Sequence, residues 1–243
     1  MKIVVFDLWG DYGHFRIPYT TSSPLSFPIP TKTAIYGIIG AFLGYNKNTY
    51  LENFQNGEWK ISISIKNRVK KIYIPENFIN TKKAKMFSRM PKNESCRTQI
   101  NMEFIKNPYF RIYVNSQNNG ELLKLENLLK EHRSHYTIVL GISECLANFK
   151  YLGTFDGIEK SNPEFTHINS ILPLKEITSA SSISFIASEE REFIKIHIPT
   201  EMRSDRELSK TADFLIERTG KTIYAKVKKY TEIKELSEKI ILF

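Results

Sequence analysis

Hydrophobic and polar positions alternate between two periods along this chain. Lys2 to Trp9 is an almost unbroken apolar run, the pattern of a strand buried on both faces. Gly10-Asp11-Tyr12-Gly13 and the stretch Pro18 to Pro30, with its prolines, serines and threonines, predict an extended loop. Thr31 can cap a helix over Lys32 to Leu43, which Gly44 closes. Gly37, Gly40 and Ala41 lie on neighbouring turns and would let that helix pack close to a sheet. Lys60 to Lys66 alternates polar and apolar without a fault, predicting a half-buried strand. In a further strand, Tyr109 to Asn115, Phe110, Ile112 and Val114 are expected inward, with Arg111 and Tyr113 outward. Asn118-Asn119-Gly120 opens a second helix, Glu121 to Arg133, with Leu122, Leu125 and Leu129 on its apolar face and Glu126 and Lys130 as a supporting pair. The turn Leu140-Gly141-Ile142-Ser143 leads to a strand over Ala147 to Leu152.

Strand, helix, strand, strand, helix, strand is the ferredoxin-like order, shared with the RNA recognition motif. The fold class expected is therefore α+β, with a ferredoxin-like domain over residues 1–157. The segment between its second and third strands, about residues 67–108, reads as a protruding hairpin inserted in the sheet. Beyond Gly157 the composition shifts. A small β-rich domain is expected over residues 158–243, with strands at Ile183–Ile186, Phe193–Ile198 and Ile223–Val227 and a short helix at Ser209–Arg218. No internal repeat is evident.

The charge distribution sharpens this picture. Lys66 to Arg111 carries twelve basic and three acidic residues, which accounts for the whole net charge of +9, and the remaining chain balances. Tyr73, Phe78, Phe87, Phe104 and Tyr109 interleave with those cations. Cations neutralise phosphates and flat rings stack on bases, so the strip has the makings of a single-stranded nucleic-acid surface. A solvated basic loop is the blander reading. The longest apolar stretch, Ala34 to Tyr45, falls short of the roughly 20 residues that span a bilayer. The apolar run that ends at Asp7 is also too short for a signal peptide. A cytoplasmic protein without membrane segments is expected, and Cys96 and Cys145 should be reduced thiols.

Several stretches resemble one family. Phe6 to Arg16, including Gly13-His14-Phe15-Arg16, is followed by Tyr19 to Ser23 and by Pro28 to Gly44. Further along come Arg97-Thr98-Gln99, Asn107 to Val114, Leu140 to Glu144, Ile198 to Met202 and Asp205-Arg206. This ordered series closely resembles the Cas-five family, CRISPR-associated RAMP-superfamily subunits of the type I surveillance complex Cascade, and most closely its type I-B (Hmari) branch. The resemblance implies a non-catalytic subunit that grips the 5′ handle of the CRISPR RNA and caps one end of the backbone. It implies a ferredoxin-like palm on the RNA and a thumb, at the basic insertion, on the neighbouring backbone subunit. The large subunit is a further partner, and the target's flanking duplex is a candidate one.

The RNA-contacting set expected comprises His14, Phe15, Arg16, Ser22, Ser23, Lys32, Thr33, Lys83, Lys85, Arg89, Arg97, Arg111, Gly141 and Ser143. Arg16 offers a guanidinium for phosphate beside an aromatic for a base face. Lys32 and Thr33 occupy a first helical turn, whose free amides favour an anion. His132 and His135 lack the companions a metal site needs, and Gly10-x-x-Gly13 lacks the continuation of a phosphate-binding loop. No metal or other cofactor is expected. The enzyme alternative is a metal-independent endoribonuclease that processes precursor CRISPR RNA, with His14, Tyr12 or Tyr45, and Lys32 as base, acid and cation. The adjacent Lys-His pair associated with that nuclease branch is absent here.

Overall fold

The computed structural model describes residues 1–20, 23–54, 57–81, 84–90, 96–179, 182–184 and 190–243. Its strands are β1 (Lys2–Trp9), β2 (Tyr12–Gly13), β3 (Phe15–Arg16), β4 (Ser26–Phe27), β5 (Trp59–Ile65), β6 (Lys70–Ile79), β7 (Arg97–Lys106) and β8 (Tyr109–Ser116). They continue with β9 (Asn148–Ile168), β10 (Leu172–Pro173), β11 (Phe193–Met202), β12 (Leu208–Glu217), β13 (Ile223–Ile233) and β14 (Glu238–Ile240). The helices are α1 (Lys32–Leu43), α2 (Ala84–Arg89) and α3 (Asn119–Lys130). The protein is a mixed α/β structure, mostly strand, on a curled antiparallel sheet ordered β14-β13-β9-β1-β8-β5.

Thr31 caps α1 by accepting from the Ala34 amide at 3.2 Å, and Gly44 ends it in the left-handed region at φ 78°. Gly37 and Gly40 face Tyr50, so the small residues seat the following 3-10 turn, Tyr50–Phe54, and not a sheet as the sequence suggested. Ile35, Ile39 and Phe42 of α1 and Leu122, Leu125 and Leu129 of α3 enter the main core with alternate residues of β1, β5 and β8. β1 is covered on its other face too, where Ile3 and Val5 meet Ile233 and Ile240. Tyr113 joins them fully buried, against the expectation that it faces outward. Period-2 alternation shows which residues share a face, and here β13 and β14 curl over the face assumed to be wet.

Residue 157 lies inside β9, whose first part pairs with β1 (Asn148 to Asp156) and whose second part pairs with β13 (Gly157 to Ile168). The boundary expected there is crossed by one unbroken strand. Ile198, Phe214 and Ile216 also share the main core, so the C-terminal strands are layers of the same body. Ser209–Arg218, expected as a helix, is strand β12 between β10 and β11. A central strand buried on both faces from Phe214 to Glu217 shows no period of 2, and so its pattern can pass for a helix. Ile183 makes a single bridge to Ala225, and residues 185 and 186 lie outside the described set.

Candidate nucleic-acid interface

The basic insertion folds as an antiparallel hairpin in which β6 and β7 pair over ten residues, from Lys70 opposite Lys106 to Ile79 opposite Arg97. β2 joins its base through Tyr12 opposite Lys106. The burial pattern follows the distance from that base. Met102 to Ile105 are buried, whereas Phe78 and Ile79 remain 41% and 42% exposed.

Between the two short strands that leave β1, His14 is pinned on three sides. Its amide donates to the Leu140 carbonyl at 2.9 Å, and its ring packs against Phe104 at 5.5 Å. Nδ1 lies 2.7 Å from the Glu103 carbonyl, which can only accept, so Nδ1 carries a proton. Nε2 is buried without a hydrogen-bond partner. The Glu103 carboxylate accepts from Lys71 (2.6 Å), the Ser26 amide (3.0 Å) and Tyr73 (3.0 Å). Burial would raise that carboxyl, but these donors outweigh it and hold it below its usual range.

Gly141 fits only as glycine. Its φ is 97°, and a Cβ there would land on the His14 carbonyl oxygen. The turn from Leu140 to Cys145, β2, β3 and the inner side of the hairpin thereby enclose a cleft of about 810 Å³. Ile74, Phe78, Met102, Phe104 and Ile142 give it an apolar wall, with Arg16, Glu76 and Glu144 as its charged groups. Cys145 also lines it, its thiol pushed up to about 11 by burial and then by Glu144 and Glu76. An apolar wall suits the face of a base, and an exposed guanidinium suits phosphate or a base edge.

The cleft therefore brings His14 and Arg16 together with the turn holding Gly141 and Ser143, while Phe15 is buried beneath them. Arg89 and Arg97 stand exposed at the far end of the hairpin, and Lys85 falls within α2. Ser23 is exposed on the loop before β4, and Ser22 and Lys83 lie outside the described residues.

Three residues of the expected set do not line the cleft. Lys32 is 9% exposed, with Nζ 5.6 Å from the Tyr36 ring centre and 5.7 Å from that of Phe243. Burial lowers its amine to about 8, against the pull of Glu201. Thr33 is buried and bonded to the Thr31 hydroxyl at 2.9 Å. Arg111 reaches across the sheet to Asp7 (2.8 Å) and Glu238 (2.9 Å). Apolar Ile74, Met102 and Ile142 had been absent from the expected site, since only the hairpin's closure against the turn makes them a wall. Among the described residues no helix is long and apolar enough to cross a membrane, and no group of three or more His, Cys, Asp or Glu is placed to hold a metal.

Fold and site define a class: a mixed α/β protein on a curled antiparallel sheet with a hairpin-walled cleft. The chain belongs to the family described as CRISPR-associated protein (Cas_Cas5), whose model matches residues 3–212. It is similar to a solved CRISPR protein from Archaeoglobus fulgidus, at 12% identity and TM-score 0.56, covering 98% of this chain and 97% of that one. It is also similar to a chain of a CRISPR RNA-guided surveillance complex, at 9% identity and TM-score 0.53, with 93% and 92% covered. A search of curated proteins gives no match.

Proposed function

We propose that this chain is a non-catalytic subunit of a type I-B Cascade that grips the 5′ handle of the CRISPR RNA and caps one end of the backbone. The observation that carries the reading is the cleft, where an exposed guanidinium and an apolar wall converge beside the buried His14. A base entering it would stack on the wall and meet the Arg16 guanidinium at its edge or phosphate. The order β9-β1-β8-β5 with α1 and α3 as crossovers supports the ferredoxin-like palm, and the β6–β7 hairpin supports the thumb toward a backbone subunit. Family membership and the likeness to a surveillance-complex chain support RNA and other complex subunits as partners. The large subunit and the target's flanking duplex complete the set.

The reading is tested by affinities for RNA carrying the proper 5′ handle and for a scrambled handle, at several salt concentrations. Arg16→Ala should lose about tenfold more on the proper handle than on the scrambled one, because a fixed fork reads geometry. Lys83→Ala should weaken both equally and reduce the salt slope by about 0.7, as one lost phosphate contact does on a single strand. Equal losses for Arg16→Ala on both RNAs would remove specificity from the cleft.

Tyr12 lines the cleft with His14, and the non-catalytic reading is supported by the placement of the other groups a nuclease would need. Tyr45 donates to the Glu121 carboxylate at 2.7 Å, and Lys32 is enclosed by Tyr36 and Phe243; neither lines the cleft with His14. Purified protein incubated with its own repeat RNA and chelator should shift that RNA on a gel and leave it intact. Specific cleavage lost in His14→Ala would establish the nuclease instead.

A further inference from the structure

A second row of rings, on the part of β9 that pairs with β13, shares no residue with the lining of the cleft. Phe165 and His167 share one face of β9, and Tyr224 of β13 stands opposite His167. The Phe165 and Tyr224 rings stack with centroids 5.2 Å apart at 30°, and Tyr224 and His167 stack at 4.6 Å and 29°. Lys226 closes one end with Nζ 5.0 Å from the Phe165 centroid. His167, at the other end, is exposed and fixed by a 2.9 Å contact between Nδ1 and the Thr222 hydroxyl. Phe165 and Tyr224 are half-buried, so the row is open to water along its edge.

The row borders a hollow of about 490 Å³ whose other walls are Thr166, Asn169, Thr222, Ser237 and Lys239. Among the described residues no aliphatic side chain lines it. An aliphatic protein anchor would find only ring surface to bury against there. Hydroxyls and an amide offer hydrogen bonds to base edges. Residues 221–229 add four lysines and no acid. Lys229 is tied to Glu159, Lys221 and Lys228 to backbone carbonyls, and Lys239 to the Thr166 hydroxyl at 2.7 Å. Lys226 instead holds its charge over the ring row.

We propose that Phe165, Tyr224 and His167 form a stacking platform for the bases of a single-stranded nucleic acid, with Lys226 meeting its phosphates. A base laid on the open face of His167 continues a stack already four groups long, and every base has such a face, so the site is tolerant of sequence. Its geometry is independent of the hairpin cleft, so either site can stand if the other fails.

The experiment uses the whole chain with a 12-nucleotide oligouridine carrying 4-thiouridine and a matched oligothymidine carrying 4-thiothymidine. Ultraviolet crosslinks are mapped by mass spectrometry and affinities are measured at low salt. Crosslinks are expected on the peptides holding Phe165, His167 or Tyr224, and they should persist in Arg16→Ala. Tyr224→Leu should weaken binding about tenfold while Tyr224→Phe, which keeps the ring, binds as the parent does. The better-bound of RNA and DNA identifies the strand that uses the platform. Should Tyr224→Leu fail to fold, the exposed His167→Ala takes its place, with the same direction expected. Crosslinks confined to the hairpin cleft, no measurable binding of either oligonucleotide, or Tyr224→Leu (or its replacement) binding as the parent does would each overturn the proposal.

Discussion

Gly141→Ala should destabilise the protein by roughly 4 kcal/mol, read as a fall in its urea or thermal midpoint. Two effects add there. A side chain at φ 97° strains the backbone by roughly 1–3 kcal/mol, and overfilling a packed site adds roughly 1–3 kcal/mol more. The atom in the way is the His14 carbonyl oxygen, part of the backbone of a segment held by the Leu140 carbonyl and by Glu103, so it has little room to retreat. What yields must be the turn itself, which also walls the cleft. Ser143→Ala on the same turn, exposed and with φ negative, should change stability by less than about 0.5 kcal/mol. A Gly141→Ala protein within 1 kcal/mol of the parent would show that the turn is not braced against His14.

Arg111→Ala carries the next largest effect, about 3 kcal/mol of stability and a melting midpoint lower by roughly 6–12 °C. Its guanidinium lies between Asp7 and Glu238, carboxylates only 6% and 8% exposed, and Glu238 also accepts from Lys66 (2.9 Å) and the buried Tyr113 hydroxyl (2.7 Å). Truncation takes the guanidinium from the nearly buried Asp7 and leaves Glu238 with Lys66, and that penalty exceeds what the network contributes when intact. Arg111→Lys should recover only part of the loss, because an ammonium cannot fork to both acids. Handle RNA should bind the folded Arg111→Ala protein as it binds the parent. A variant of normal stability that loses RNA affinity would return Arg111 to the RNA surface.

This arginine shows where sequence reading reaches its limit. Counting charges between Lys66 and Arg111 treats that strip as isolated, yet the fold brings Asp7, Glu192 and Glu238 onto it from far along the chain. Lys66, Arg68 and Arg111 meet them, and Lys71 meets Glu103 within the strip. Lys2–Trp9 and Lys32–Leu43 were legible to the residue, because a continuous apolar run and a Thr-to-Gly pair of caps are written locally. The His14 and Arg16 half of the cleft was legible through its motif. Its apolar wall was not, since Ile74, Met102 and Ile142 become neighbours only when the hairpin folds back. For the same reason β12, sandwiched between two strands, carried no period to read, and Tyr113 could not announce a second covering layer.

The long strand β9 also dictates an order of assembly. Its residues 148–156 wait for β1, already made some 150 positions earlier, and its residues 157–168 wait for β13, some 60 positions later. While a ribosome is still between those points, one edge of β9 and the oily patch of Ile3, Val5 and Tyr113 have no cover, since Ile233 and Ile240 do not yet exist. An uncovered edge beside an apolar patch is a template for pairing with another nascent chain. Partner strands so distant in sequence close slowly, which lengthens that exposure. Translation speed through residues 157–240 and the crowding of ribosomes on one message thus become determinants of yield, ahead of anything the finished molecule does.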